Sequence, residues 1–313
     1  MNDLQWRLSG EMFIQAVRRF ERDRLPYPIR VLPLGPTETP PSAEEYERVR
    51  VSAAQRLQAM ADDSFFHAMR TLLEPQVRIE VHGAYDRGFE RVVRIHAGLA
   101  GRSATLALQS PGPTKEYGGD IQLLTLAPEE LSARLVACLP RCAPGRCAQV
   151  RGTRAEIGQI EYARHPTRIS RIEQINQIMR RPRSGVGEIG VFAGPAIDSR
   201  PTGNPHGFHW MDLLPQDGRY LLIKHSSEEF TLAPGSPDEI TRRLQHAIGT
   251  VRQSTPRAPH RAAPPQPPRD SAQPRQPQRE LSSQAPLRRV ISQDEIDADD
   301  AYFRERNQRG WLS

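Results

Sequence analysis

TLAPEELSARLVACL, residues 125–139, is echoed about a hundred residues later by TLAPGSPDEITRRLQHAI, residues 231–248. Aligned on Pro128 and Pro237, the segments PEELSARLVACL and PDEITRRLQHAI run without a gap. The prolines, Glu130/Glu239, Arg134/Arg243 and Leu135/Leu244 are identical, and Leu131/Ile240, Ser132/Thr241 and Leu139/Ile248 are conservative. Each copy reads as a strand running into a helix, with proline at the first helical position, where a missing N–H costs nothing. Ser236 and Glu239 have capping-box spacing. Leu131, Leu135, Cys138 and Leu139, and in the second copy Ile240, Leu244, Ala247 and Ile248, make one apolar stripe at helical spacing.

Outward from these copies the order of elements repeats as well. Upstream of the first, a helix is expected from Ser42, whose capping-box partner is Glu45, with a stripe of Tyr46, Val49, Ala53, Leu57 and Met60. A second helix, DSFFHAMRTLLEP, ends at Pro75, and residues 11–22 suggest a short one near the start. Strands follow at 77–83, 89–99, 103–110 and 119–127. In the second half, a strand at 157–163 and a helix from Thr167 precede strands at 187–194, 207–214, 219–226 and 228–233. The repetition predicts an α+β fold of two pseudo-twofold-related lobes, each an antiparallel sheet packed against helices, with a disordered C-terminal tail. The lobes are placed at 1–140 and 141–250. A Pro/Arg-rich linker follows at 251–289, then an acidic-aromatic tail at 290–313 that could act as a linear motif for a further partner.

The chain has 313 residues and a formal charge of +6. Residues 251–289 hold eight Arg and two acids, whereas residues 290–313 hold three Arg and six acids. With few large apolar side chains, the linker cannot offset its ordering entropy by burial. No basic stripe for tracking phosphates is evident in the body, so nucleic-acid association through the Arg-rich tail is the alternative rather than the leading reading. No apolar run is long enough for a membrane span and no secretory signal is apparent, so a cytoplasmic protein is expected. The clustered, odd-numbered Cys138, Cys142 and Cys147 make a poor disulfide framework.

Candidate chemistry is sparse. Gly185-Val-Gly-Glu-Ile-Gly190 matches G-x-G-x-x-G, but no strand precedes it and no helix follows, as a dinucleotide site requires. The cysteines lack paired zinc knuckles, and His206 and His209 on a strand point to opposite faces. No nucleophile elbow, HExxH or P-loop is present. Neither an enzyme nor a cofactor is expected; ample sheet surface suits binding another protein. Leu99, Tyr117, Phe192, Phe208, Trp210 and Ile223 are the candidate partner-binding residues, aromatic side chains being common interface anchors. An exposed sheet edge could also pair two copies as a homodimer.

Several stretches resemble the EspG family, the cytosolic specificity chaperones of ESX (type VII) secretion in actinobacteria. They are GDIQLLTLAPEELSARLVACLP with Pro144-Gly-Arg146, GFHWMDLLPQDGRYLLIKHSSEEFTLAP, LPYPIRV and SFFHAMRTLLEPQVRIEVHG. The W-x-D…GRYL pattern at Trp210, Asp212 and Gly218 to Leu221 carries most weight. The resemblance covers roughly residues 10–250 and implies a two-lobed fold. It further implies binding of the apolar helical tip of a PPE protein within a PE–PPE heterodimer, through the 97–103 loop, the 110–120 loop and the 187–226 sheet. Two features depart from typical members: a short 97–103 connection and the added tail. The tip carries Arg306, not an acid, four residues after Tyr302, which suits a chaperone that stays inside rather than an exported substrate.

Overall fold

The computed structural model describes residues 4–32, 42–159, 169–196, 206–214 and 217–254. In chain order the elements are β1 (Gln5–Leu8), α1 (Gly10–Arg18), α2 (Ala43–Met60), α3 (Asp63–Leu73), β2 (Val77–Tyr85), β3 (Arg91–Ala100), β4 (Ser103–Pro111), β5 (Gly118–Leu126) and α4 (Leu131–Ala137). The second half contains β6 (Val150–Thr153), α5 (Arg171–Arg180), β7 (Arg183–Ala193), β8 (His206–Leu213), β9 (Gly218–Lys224), β10 (Glu229–Pro234) and α6 (Pro237–Ser254).

All ten strands belong to one sheet, in the order β1-β5-β4-β3-β2-β7-β8-β9-β10-β6, and every ladder is antiparallel. Successive strands of each half form a meander, so local connections account for most of the pairing. The order reads alike from both edges: β2 to β5 run outward from the centre on one side, β7 to β10 on the other. The halves do not have a sheet each. Strands β2 and β7 pair along all of β2, from Val77 opposite Ala193 to Tyr85 opposite Gly185, so a single sheet passes through both.

Alternation assigns the residues to two faces. On one face Val77, Ile79 and Val81 of β2, Ile95 and Leu99 of β3, and Ile189 and Val191 of β7 are buried against Leu131 and Leu135 of α4 and Ile240, Leu244 and Ile248 of α6. On the other, α1, α2 and α3 cover the first half, with Met12, Phe13, Leu57, Phe65, Met69 and Leu72 packed on Ala107, Ile121 and Leu123. Burying each such large side chain contributes roughly 1.5–3 kcal/mol, which is why the periodic residues of the sequence set the faces.

Helix starts follow their caps. Ser42 and Glu45 form a complete capping box, Asp62 Oδ1 accepts from Phe65 N at 2.7 Å, and Ser170 Oγ accepts from Glu173 N at 3.1 Å. The two copies of the opening motif differ here. Pro237 begins α6 as expected, with Ser236 Oγ accepting from Glu239 N, but Glu239 turns its carboxylate to Arg242 and Arg243 instead of closing the box. After Pro128 the chain first makes a turn, Glu130 N donating to Ala127 O at 3.0 Å, and α4 starts only at Leu131. Of the expected strand at 157–163, residues 157–159 are not in a strand and 160–163 fall outside the described residues, as do 164–168, 251–289 beyond Ser254 and the whole of 290–313; β6 lies earlier. Strand β1 was not foreseen; four residues with a single buried side chain give too little periodicity to read.

A polar belt crosses the second face near the sheet centre. Arg78 Nε pairs with Glu80 Oε1 at 2.9 Å, both side chains buried, and His96 Nδ1 lies 2.6 Å from the Tyr27 carbonyl oxygen. A carbonyl only accepts, so Nδ1 carries the proton and donates. Burial, with the nearby Arg78 charge as a smaller cause, pushes the His96 pKa down to about 4. The unfolded chain, with His near ~6.5, therefore binds this proton first. The stabilisation from a neutral His96 is full above ~6.5 and declines as pH falls towards about 4, by on the order of 3 kcal/mol in total. Denaturant unfolding at pH 7.5 and 5.0 should show the chain losing roughly 2 kcal/mol more than its His96→Gln variant over that interval; equal losses would contradict this assignment.

Candidate partner-binding surface

The W-x-D…GRYL residues meet where β8 returns as β9. Asp212 and Arg219 are directly opposite in the ladder. Arg219 Nε donates to Asp212 Oδ1 at 2.6 Å and Nη2 to Oδ2 at 2.7 Å, while Nη2 also reaches Pro140 O at 2.8 Å. Both side chains are buried, and the guanidinium lies 6.0 Å from the Trp210 ring centroid. The indole in turn rests on glycine backbone from two neighbouring strands. A Cβ on Gly187 would come within 2.2 Å of the Trp210 ring, and one on Gly83 within 2.4 Å. Within the G-x-G-x-x-G match, Gly187 thus clears space for a core side chain on a strand and Gly185 lies against Asp212, and no phosphate cradle is built.

Segment 140–147 is strapped across β9. Arg219 N donates to Ala143 O at 2.6 Å, and Gly145 N donates to Arg219 O at 2.8 Å. Gly145 lies against the Tyr220 ring, where a Cβ would approach within 2.2 Å. The Tyr220 hydroxyl accepts from Cys147 N at 2.8 Å, and burial above all pushes the phenol up to about 12. Cys142 lies near the Asp212 carboxylate; burial first, then that negative neighbour, raises its pKa to about 11. Cys138 packs at the margin of the apolar core. Among the described residues no group of three His, Cys, Asp or Glu is placed to hold a metal ion. Cys142 and Cys147 belong to this strap.

The six candidate residues are not all at the surface. Leu99, Phe208 and Trp210 belong to the apolar core against α4 and α6, with Ile223 half-buried at its margin. Phe192 is buried on the opposite face, where the Arg78 guanidinium covers its ring at 4.4 Å. Tyr117 is half-buried in the connection between β4 and β5. A buried side chain offers no contact without rearrangement, so Leu99, Phe192, Phe208 and Trp210 are supports for the strands, not anchors on them. Aromatic letters in strands cannot by themselves separate these roles. His206 and His209 point to opposite faces as expected; His206 is exposed and His209 Nδ1 lies 3.7 Å from Glu188 Oε2.

One exposed aromatic was missed. Phe89, 36% exposed, sits at the tip of the β2–β3 hairpin with φ at +57°, following Asp86 at +75°. Bulky residues rarely adopt left-handed backbone, and when they do the strain accompanies functional contacts often enough to mark the position. The Asp86-Arg-Gly88 sequence signals a turn, and Phe89 directly after it was the legible clue.

The latch carries a stability prediction. Arg219→Met leaves the Asp212 carboxylate buried and uncompensated, which should cost about 3–5 kcal/mol in denaturant unfolding. Adding Asp212→Leu should recover part of that loss. A single variant within ~1 kcal/mol of the parent, or a double variant less stable than the single, would show that the pair does not act as a buried unit.

No curated protein matches the chain. The EspG family model matches residues 10–246, which takes in every described strand after β1, the first motif copy and all but the last two residues of the second. EspG proteins are ESX secretion-associated chaperones, and no helix among the described residues is long and apolar enough to cross a membrane. The chain is a member of the EspG family.

Proposed function

We propose that this protein is a cytosolic chaperone that binds the apolar helical tip of a PPE protein within a PE–PPE heterodimer. Covering that tip keeps the secretion substrate soluble and directs it to its type VII (ESX) system. The family match over residues 10–246 is the observation that carries this reading. Physically, the function is the shielding of an apolar patch too large to leave exposed, with specificity set by polar groups around it.

The surface proposed for the tip comprises the accessible positions of β7 to β9, the 110–120 connection and the β2–β3 hairpin tip. Glu188 and His209, each with its side chain 27% exposed, supply polar groups on one face of the sheet, Ile223 supplies half-buried apolar area on the other, and Tyr117 adds some in the 110–120 connection. Phe89 adds the exposed aromatic; the 87–89 turn packs beside β7, which puts it at the border of the same strands. Leu99, Phe192, Phe208 and Trp210 hold these strands from within.

Co-expression with candidate PE–PPE pairs should give a complex that survives gel filtration with one pair. Failure with every pair would refute the proposal. Within such a complex Phe89→Asn, which tolerates a left-handed backbone, should leave unfolding stability undiminished and weaken binding about tenfold or more. Unchanged affinity would remove the hairpin tip from the surface.

A further inference from the structure

Three titratable side chains stand abreast near the middle of the sheet. Glu188 of β7 lies directly opposite His82 of β2 in one ladder and His209 of β8 in the next, which holds neighbouring Cβ atoms about 5 Å apart. Ladder partners share a face. Glu80, two residues from His82, lies opposite His96, and His96 opposite Ala107, so this is the face that α1 to α3 cover in the first half. His209 Nδ1 is 3.7 Å from Glu188 Oε2, within reach of an ion pair but longer than a hydrogen bond. His82 is half-buried, its ring centroid 5.8 Å from that of Tyr27.

Among the described residues, few charges flank this trio on its face. On β2, Glu80 is paired with Arg78. On β3, His96 donates to the Tyr27 carbonyl oxygen and stays neutral. Arg94, opposite His82, donates Nη2 to the Lys115 and Glu116 carbonyl oxygens. On β8 and β9 the neighbours are the apolar Met211 and Leu222, with Lys224 one step farther along β9. A histidine ordinarily titrates near ~6.5, so above neutral pH the trio holds chiefly the negative charge of Glu188. An apolar client laid over it removes the water that solvates this charge, and desolvation penalises the charged form. One proton cancels the net charge, whether it makes a histidine the cation of a Glu–His pair or protonates the carboxylate. In so close a set the proton belongs to the cluster and not to one residue.

We propose that client binding at this face is proton-coupled: covering the His82–Glu188–His209 trio draws one proton onto it, so the trio selects a client that sets no cation against Glu188. The inference rests on the client reading given under the proposed function and adds how that site is regulated. Its sign follows from linkage: a complex that binds more protons than its separate parts tightens as pH falls. The effect belongs to the range above ~6.5, because below it free histidines already carry the proton.

Calorimetric titration of the full-length chain with its PE–PPE pair, at pH 7.5 in buffers of different ionisation enthalpy, counts the protons exchanged. Glu188→Gln, similar in shape but without the charge to cancel, is the comparison; protons exchanged by the client itself are common to both chains. The parent should take up roughly half a proton more than the variant. Its Kd should also tighten about fivefold more than the variant's between pH 8.5 and 7.0. Equal proton uptake by the two chains, or a parent complex that forms without uptake, would overturn the proposal and leave the client reading standing. The absence of a complex with every pair would overturn both.

Discussion

The antiparallel pairing of β2 with β7 is the constraint on which the rest depends. It joins two meanders into one ten-stranded sheet, and the apolar faces of both halves become continuous across it. Trp210 completes the junction. Its ring spans the glycine backbones of Gly83 on β2 and Gly187 on β7, close enough that no side chain could replace either glycine without displacing it. A large aromatic and two glycines on adjacent strands are thus one packing unit, and each makes sense only with the others.

That unit is tied to the Arg219–Asp212 pair and through it to segment 140–147. Buried ion pairs contribute little net stability compared with apolar replacements, but they tolerate few alternative arrangements. Here the pair fixes the register of β8 on β9, and the Arg219 backbone holds the strap that ends the first half. The residues by which the chain resembles its family are therefore largely those that build the junction. They specify a scaffold, and the proposed function leaves partner choice to the accessible strand positions and loops.

Much of this was legible in the sequence. The two copies of strand and helix, the alternation in the central strands and the capping pair at Ser42 and Glu45 each declare a local preference that the tertiary structure keeps. What failed had physical reasons. A sheet for each half was expected, but a repeat does not say whether its sheets stay apart or merge; the β2–β7 ladder joins them into one. Pro128 was read as a helix start, yet the Glu130 turn delays α4 to Leu131. Phe208 and Trp210 look alike whether they face a core or a partner, because alternation gives a face and not what covers it.

On the function proposed above, this scaffold presents surface from which an apolar client displaces water. Hydrogen exchange with and without a cognate PE–PPE pair tests that account most directly. Slowed exchange is expected in β7 to β9, in the 110–120 connection and at the 85–91 hairpin tip, with the β3 and β4 core amides unchanged. Exchange unaltered throughout these segments, despite a complex that forms, would contradict it.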